Sequence, residues 1–285
     1  EFITISTTGN VADFGDRTAA SDYPTATSNA TRGLFTGGDL AGDGANNVID
    51  FITIATTGNA IDFGDLASRR TRFVGATVSP TRALFAGGNS PSTDNVIQFV
   101  EIATTGNASD FGDLTSASSF GTEGPVLDGG LHFRSKNYMT LPKGDTNQRD
   151  NDGGGRGVFG GGEVPGSPGV TDTIDYVEFA SNGNAVDFGN LSQARRKPAS
   201  VSSSTRGVFC AGATPGVTDV LDFITILSTG NAADFGDMST NVSQCFGGGN
   251  DTRGIFAGGY NNVNRIEYIT IATTGDATDF GDLLT

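Results

Sequence analysis

Apolar positions fall in short runs along this chain, and none keeps up the 3.6-residue period of an amphipathic helix or approaches the ~18 residues of a membrane span. The run Asn47-Val-Ile-Asp-Phe51-Ile-Thr-Ile54 is β-branched and aromatic, which predicts a strand. Thr57-Gly58-Asn59 supplies a glycine able to take positive φ, hence a hairpin turn, and Ala60-Ile-Asp-Phe63 reads as the returning strand, ended by Gly64-Asp65. Further along, Arg72-Phe-Val-Gly-Ala76 and Thr81-Arg-Ala-Leu-Phe85-Ala-Gly87 predict another strand pair that turns at Ser79-Pro80. The unit is therefore four antiparallel strands.

That unit recurs. Phe51 to Asp65 returns almost word for word as Phe223 to Asp237 and as Tyr268 to Asp282; Thr31 to Gly38 returns as Thr81 to Gly88 and Thr252 to Gly259. A period in the forties signals stacked repeats, none of which buries its own apolar face alone. Third-strand aromatics at Phe2, Phe51, Phe99, Tyr138, Tyr176, Phe223 and Tyr268 predict a seven-bladed propeller as one domain over residues 1–285. Its first blade is incomplete at 1–16, its missing strands lying outside this chain, which would then belong to a longer one. A worn blade is expected at about 115–150, with Leu127-Asp-Gly129-Gly130 and Tyr138-Met-Thr-Leu141 in the repeat's order. The alternatives are an insertion over residues 121–150 and a six-bladed ring with a spare hairpin. Ring closure would remove the unpaired strand edges.

Glycine pairs follow an apolar triplet in Leu34-Phe35-Thr36-Gly37-Gly38, Leu84-Phe85-Ala86-Gly87-Gly88 and Ile255-Phe256-Ala257-Gly258-Gly259. They suit strands that converge near a propeller axis, where Cβ atoms would collide. On these residues the chain resembles kelch-type propellers, although the later Trp of kelch blades is replaced by Phe63, Phe111, Phe188, Phe235 and Phe280. The resemblance implies an all-β, kelch-like propeller of four-stranded blades.

With 17 Lys and Arg against 32 Asp and Glu, the formal charge is −15, which argues against nucleic-acid and anionic-membrane partners. Cys210 and Cys245, the only cysteines, stand where other repeats carry small apolar residues and read as buried free thiols. His132 is the sole histidine, too little for a Ser/His/Asp array or a multi-His metal site. Asp-Phe-Gly, at Asp13, Asp62, Asp110, Asp187, Asp234 and Asp279, recurs at blade period and reads as scaffold. So do Arg32, Arg82, Arg156, Arg206 and Arg253, which open second strands; their partner would be the Asp of Asp-Phe-Gly or a carbonyl of the next blade, and inter-blade ion pairs are expected. No catalytic residue and no metal site is assigned, and the chain is not expected to be an enzyme.

Loops between second and third strands vary most and leave one face of the ring, where repeat proteins place binding sites. The binding candidates there are Asp39, Asp43, Asn46, Asn89, Asp94, Asp172, Asp219 and Asn261. Asp39, Asp43 and Asn46 carry hard oxygens suited to Ca²⁺, without the spacing of a twelve-residue calcium loop.

Thr-Thr-Gly-Asn-Ala-x-Asp-Phe-Gly-Asp, alternating with Thr-Arg-Gly-φ-Phe-x-Gly-Gly, resembles kelch-like repeats in virion proteins of marine tailed phages. That resemblance implies an extracellular, virion-surface module such as a tail fibre or capsid appendage. It would adhere to other virion proteins or to a host-surface glycan or protein. A purely structural virion decoration and a bacterial extracellular adhesin or filament component remain the alternatives.

Overall fold

The computed structural model describes residues 2, 12–40, 44–73, 75–89, 91–119, 126–127, 155–166, 169–260 and 263–283. They form an all-β propeller-like series of antiparallel sheets. Blade 1 comprises Thr25–Ser28, Arg32–Thr36, Gly44–Thr53 and Ile61–Arg70, extended by Ser21–Asp22 and Asp39–Leu40. Blade 2 comprises Gly75–Val78, Arg82–Ala86, Val96–Glu101 and Ser109–Asp113. Blade 3 comprises Val126–Leu127, Arg156–Glu163, Val170–Glu178 and Val186–Asn190. Blade 4 comprises Ala199–Ser202, Arg206–Ala213, Val217–Thr225 and Ala233–Val242, and blade 5 Phe246–Gly249, Arg253–Ala257, Arg265–Thr270 and Thr278–Asp282.

The described residues thus make five blades, which corrects the count of seven and its six-bladed alternative. Counting third-strand aromatics overcounts, because a blade needs four paired strands. Val126–Leu127, expected inside a worn blade, pairs instead with Val158 and Gly157 as the first strand of blade 3. Tyr138 and His132 lie outside the described residues. At the other end, Phe2 and Ala12 exchange two main-chain bonds of 2.8 and 2.9 Å, standing in the place of a third and fourth strand ahead of blade 1.

Most of the core lies between blades, with one smaller cluster, Ile255, Ile266 and Phe280, inside blade 5. One apolar cluster joins Leu34, Ile49 and Phe63 of blade 1 to Phe85, Val100 and Ile102 of blade 2, and similar clusters bridge each following pair. In each of the five blades the fourth-strand Phe stands edge-on to its third-strand aromatic at 5.9 to 6.2 Å, Phe51–Phe63 through Tyr268–Phe280.

The repeated words are seam chemistry. In Phe63-Gly64-Asp65 the carbonyls of Phe63 and Asp65 accept from the N–H groups of Gly106 and Ala108 in the next blade at 2.8 and 2.7 Å, and Asn107 Oδ1 accepts from the Asp65 N–H at 3.0 Å. The same set joins Phe111 to Gly183, Phe188 to Gly230 and Phe235 to Gly275. Phe-Gly-Asp and Thr-Gly-Asn recur because each is half of one joint. The Asp that opens Asp-Phe-Gly is exposed in every described copy.

The second-strand arginines join blades through main-chain carbonyls, which corrects the expectation of inter-blade ion pairs. Nη1 of Arg32, Arg82, Arg156 and Arg206 donates to the carbonyls of Ile102, Phe179, Ile226 and Ile271, at 2.7, 3.3, 3.2 and 3.3 Å. Each guanidinium also lies 4.3 to 4.8 Å from the centroid of its own third-strand aromatic, as does that of Arg253 over Tyr268. Ion pairs do form, but within a blade: Arg82 with Glu101 at 2.8 Å and Arg156 with Glu178 at 3.0 Å. Ile54, the blade 1 counterpart of those carbonyl-bearing residues, is 40% exposed where they are buried.

Candidate functional site

At one end of the blades, second-strand ends, third-strand starts and the crossovers into first strands meet. The glycine pairs make this possible. Gly37 and Gly38 have φ of 63 and 101°, and a Cβ on either would meet the Arg70 or Asp22 carbonyl at 2.6 or 2.7 Å. The Gly38 N–H donates to the Arg70 carbonyl at 2.9 Å, and Gly88 and Gly162 bind the next crossovers at Ser118 and Arg195 in the same way.

The loop candidates sit at this end, where most serve the fold. Buried Asn46 closes its own loop, its Nδ2 donating to the Gly37 and Gly38 carbonyls at 3.0 and 3.1 Å while its Oδ1 accepts from the Val48 N–H. Asp94 pairs with Arg70 and also accepts from the Val96 N–H at 3.3 Å. Asn89 donates its N–H to the Thr71 carbonyl, and the Asp172 carbonyl accepts from the Leu191 N–H. The Asp219 carboxylate faces the amide NH₂ of Asn241 at 3.0 and 3.2 Å. Asp39 stands 3.8 Å from Nη2 of half-exposed Arg72. Asp43 and Asn261 lie outside the described residues.

A different set converges at the hub. Two basic runs stand where one blade passes to another: Arg69-Arg70-Thr71-Arg72 ends the fourth strand of blade 1 and enters the crossover to blade 2, and Arg195-Arg196-Lys197 lies in the crossover from blade 3 to 4. Arg70, Arg195 and Arg196 are held by carboxylates, the last by Glu163 at 2.5 Å. Arg72 and Lys197 meet a single aromatic ring: the guanidinium carbon lies 5.4 Å and the ammonium 5.8 Å from the centroid of Tyr23, which leads into blade 1. Only near the axis can residues of blades 1, 2 and 4 share one neighbour. Tyr23, Arg72 and Lys197, with Gln244 ahead of blade 5, have φ of 54, 55, 57 and 60°, left-handed values that cost side-chain-bearing residues about 1 to 3 kcal/mol each. In the sequence, the one signal of this set is the placement of both basic runs just ahead of a first strand.

A buried polar row crosses the blades, and no local sequence signal marks it. Asp50, Gln98, Asp175, Asp222 and Glu267, one per blade on the third strand, are all buried. Each accepts from the fourth strand of the preceding unit or from the segment just after it: Thr18 and Arg17 on Asp50, the Ala67 N–H on Gln98, Thr115 on Asp175, Ser192 on Asp222, the Ser239 N–H on Glu267. Burial pushes the Asp175 carboxyl above its usual value, an effect the Thr115 hydrogen bonds partly offset and the Asp187 charge reinforces. A carboxyl raised by folding adds stability below its unfolded pKa, near 3.9, and loses it as pH rises through the folded value. Asp175→Asn, which puts a neutral amide where blade 2 has buried Gln98, should therefore be at least as stable as the parent at pH 7. It should also lose the parent's relative gain on acidification toward pH 4. Urea midpoints of both proteins across that range check this, and a pH-independent difference would contradict the assignment.

Cys210 and Cys245 are buried free thiols in the apolar cluster at the seam of blades 4 and 5, and burial, with Cys245 beside it, drives the Cys210 thiol well above its ordinary value. Among the described residues no group of three or more His, Cys, Asp or Glu is placed to hold a metal ion, and no helix is long and apolar enough to cross a membrane. The architecture defines a propeller-like, all-β repeat protein. No protein family matches the chain, and no curated protein is similar to it in sequence.

Proposed function

We propose that this chain is a non-enzymatic recognition module, its hub and loop face engaging a surface partner while the repeated words hold the blades together. One observation carries this reading: two basic runs far apart in the chain are brought to one exposed tyrosine, in a protein whose overall charge is −15. At that same end Asn46 and Asp94 serve the fold, and Arg72 and Lys197 stand over the Tyr23 ring. The kelch-like wording of the repeats supports an appendage on a virion, with a host-surface glycan or protein as partner and many copies offsetting weak single contacts. A structural decoration of the virion is the second reading, favoured by how fully Asn46 and Asp94 are used internally. The test is a screen of the intact chain over a glycan array and over intact host cells. Saturable binding that Tyr23→Ala abolishes supports recognition; silence on both leaves the decoration reading.

A further inference from the structure

We infer that Cys210 and Cys245 form an oxidation site, where a peroxide couples the two thiols into one disulfide that ties blade 4 to blade 5. They are the only cysteines of the chain, and both come to one seam. Cys210, on the second strand of blade 4, pairs with Ala199 of its first strand. Blade 5 brings the other thiol to the same place. The Gln244 N–H donates to the Lys197 carbonyl at 3.4 Å, and a Cβ on Gly247 would run into the main chain of Ser200. Residues 244–247 therefore run beside 197–200 in the same direction, and Cys245 comes level with Pro198, next to Ala199. Both thiols enter one apolar cluster with Ala199, Phe235 and Phe256.

The two cysteines are held differently. Cys210 lies inside a strand paired on both sides. Cys245 stands just ahead of Phe246–Gly249, a first strand mostly exposed where those of blades 2 and 4 are buried. The segment around Cys245 is thus the part of the seam that opens most readily. Until it opens, reaction is withheld, because the thiolate is the attacking form and burial disfavours it. In the open state one thiolate attacks peroxide and breaks its O–O bond, giving a sulfenic acid and a hydroxide that takes up the thiol's proton. The second thiolate then attacks the sulfenic sulfur. The S–S bond forms as the S–O bond breaks, and the leaving hydroxide becomes water with the second thiol's proton. Two thiols are oxidised and one peroxide is reduced to two waters. Nothing in this chemistry depends on what the hub binds.

The experiment is treatment of the intact chain with hydrogen peroxide, in buffer and in urea below the unfolding midpoint, followed by non-reducing peptide mass spectrometry. A Cys210–Cys245 cross-link within one chain is expected, lighter than the reduced pair by two hydrogens and reversed by dithiothreitol. It should form at least ~10-fold faster in the urea, because the population of the open seam limits the reaction. The oxidised chain should then unfold with an equilibrium constant at least ~10-fold below that of the reduced one. Peroxide should bring no such gain to Cys210→Ala or Cys245→Ala, and the mapping on the parent chain needs neither variant. Sulfinic or sulfonic acid on either cysteine without a cross-link would show that the sulfurs do not come within bonding reach, and would overturn the assignment. A cross-link formed only between two chains, or thiols still free at the urea midpoint, would do the same. Equal rates with and without urea would overturn gating by the seam. An oxidised chain less stable than the reduced one would show a strained bond and overturn the tie between blades.

Discussion

Gly112→Ala is expected to lower the unfolding free energy by about 2 to 6 kcal/mol, through backbone strain and overpacking together. Gly112 has φ of 154°, and a Cβ built on it would sit 2.3 Å from the carbonyl oxygen of Gly183 in the next blade. That oxygen belongs to main chain held at the seam by the bonds Gly183 N–H to Phe111 and Ala185 N–H to Asp113, so it has nowhere to retreat. The control is built into the repeat. Gly281 stands at the same place in the same words with φ of 148°, and a Cβ there meets nothing within 4 Å. Gly281→Ala should therefore cost only the backbone strain, about 1 to 3 kcal/mol. Urea unfolding of the two variants side by side separates the contributions. Equal losses would mean that conformation, not the seam, demands glycine in Phe-Gly-Asp.

Asp222→Ala should cost about 3 to 5 kcal/mol, because it strands a buried charge. The guanidinium of Arg195 is fully buried, and its Nη2 donates to Asp222 Oδ2 at 2.7 Å. Burial lowers the Arg195 pKa while Asp222 opposes that shift, so the carboxylate is what keeps the cation tolerable. Ser192 loses its anchor as well, since its N–H and its hydroxyl both donate to the same oxygen at 3.1 and 2.9 Å. The pair is incompletely satisfied, with Asp222 Oδ1 and Arg195 Nε buried and without hydrogen-bond partners. Replacing both residues by apolar ones of similar size, as in Arg195→Met with Asp222→Leu, should thus recover most of the loss. A double variant as unstable as Asp222→Ala would show that the Ser192 anchor, not the ion pair, dominates.

Strands, turns and the pairing of aromatics were legible in the residues because each depends on neighbours a few positions away. Asn47 to Ile54 reads as a strand from its branched and aromatic side chains, and Thr57-Gly58-Asn59 reads as the turn that returns it. The fourth strand was read too short: it runs on through a register shift near Gly64 to Arg70, where it meets the loop of its own blade. Blade number was misread because Val126–Leu127 suits either a worn second strand or the first strand of blade 3, and only pairing across to Val158 decides. The buried row from Asp50 to Glu267 was hidden in plain view. An acidic residue between two apolar ones looks solvent-facing in a half-buried strand, until a neighbouring blade covers it.

By itself the sequence determined that this is a repeat of short antiparallel strands, and which words make up the repeat, because period-two patterning and turn chemistry act within a hairpin. Tertiary structure alone decided what those words are for. Gly112 meets Gly183, Arg32 meets Ile102, and Arg72 and Lys197 meet Tyr23 only because stacked blades bring distant residues into contact. Each of those contacts depends on the distance between two blades, a quantity set by packing across the seam and by no local preference of either strand.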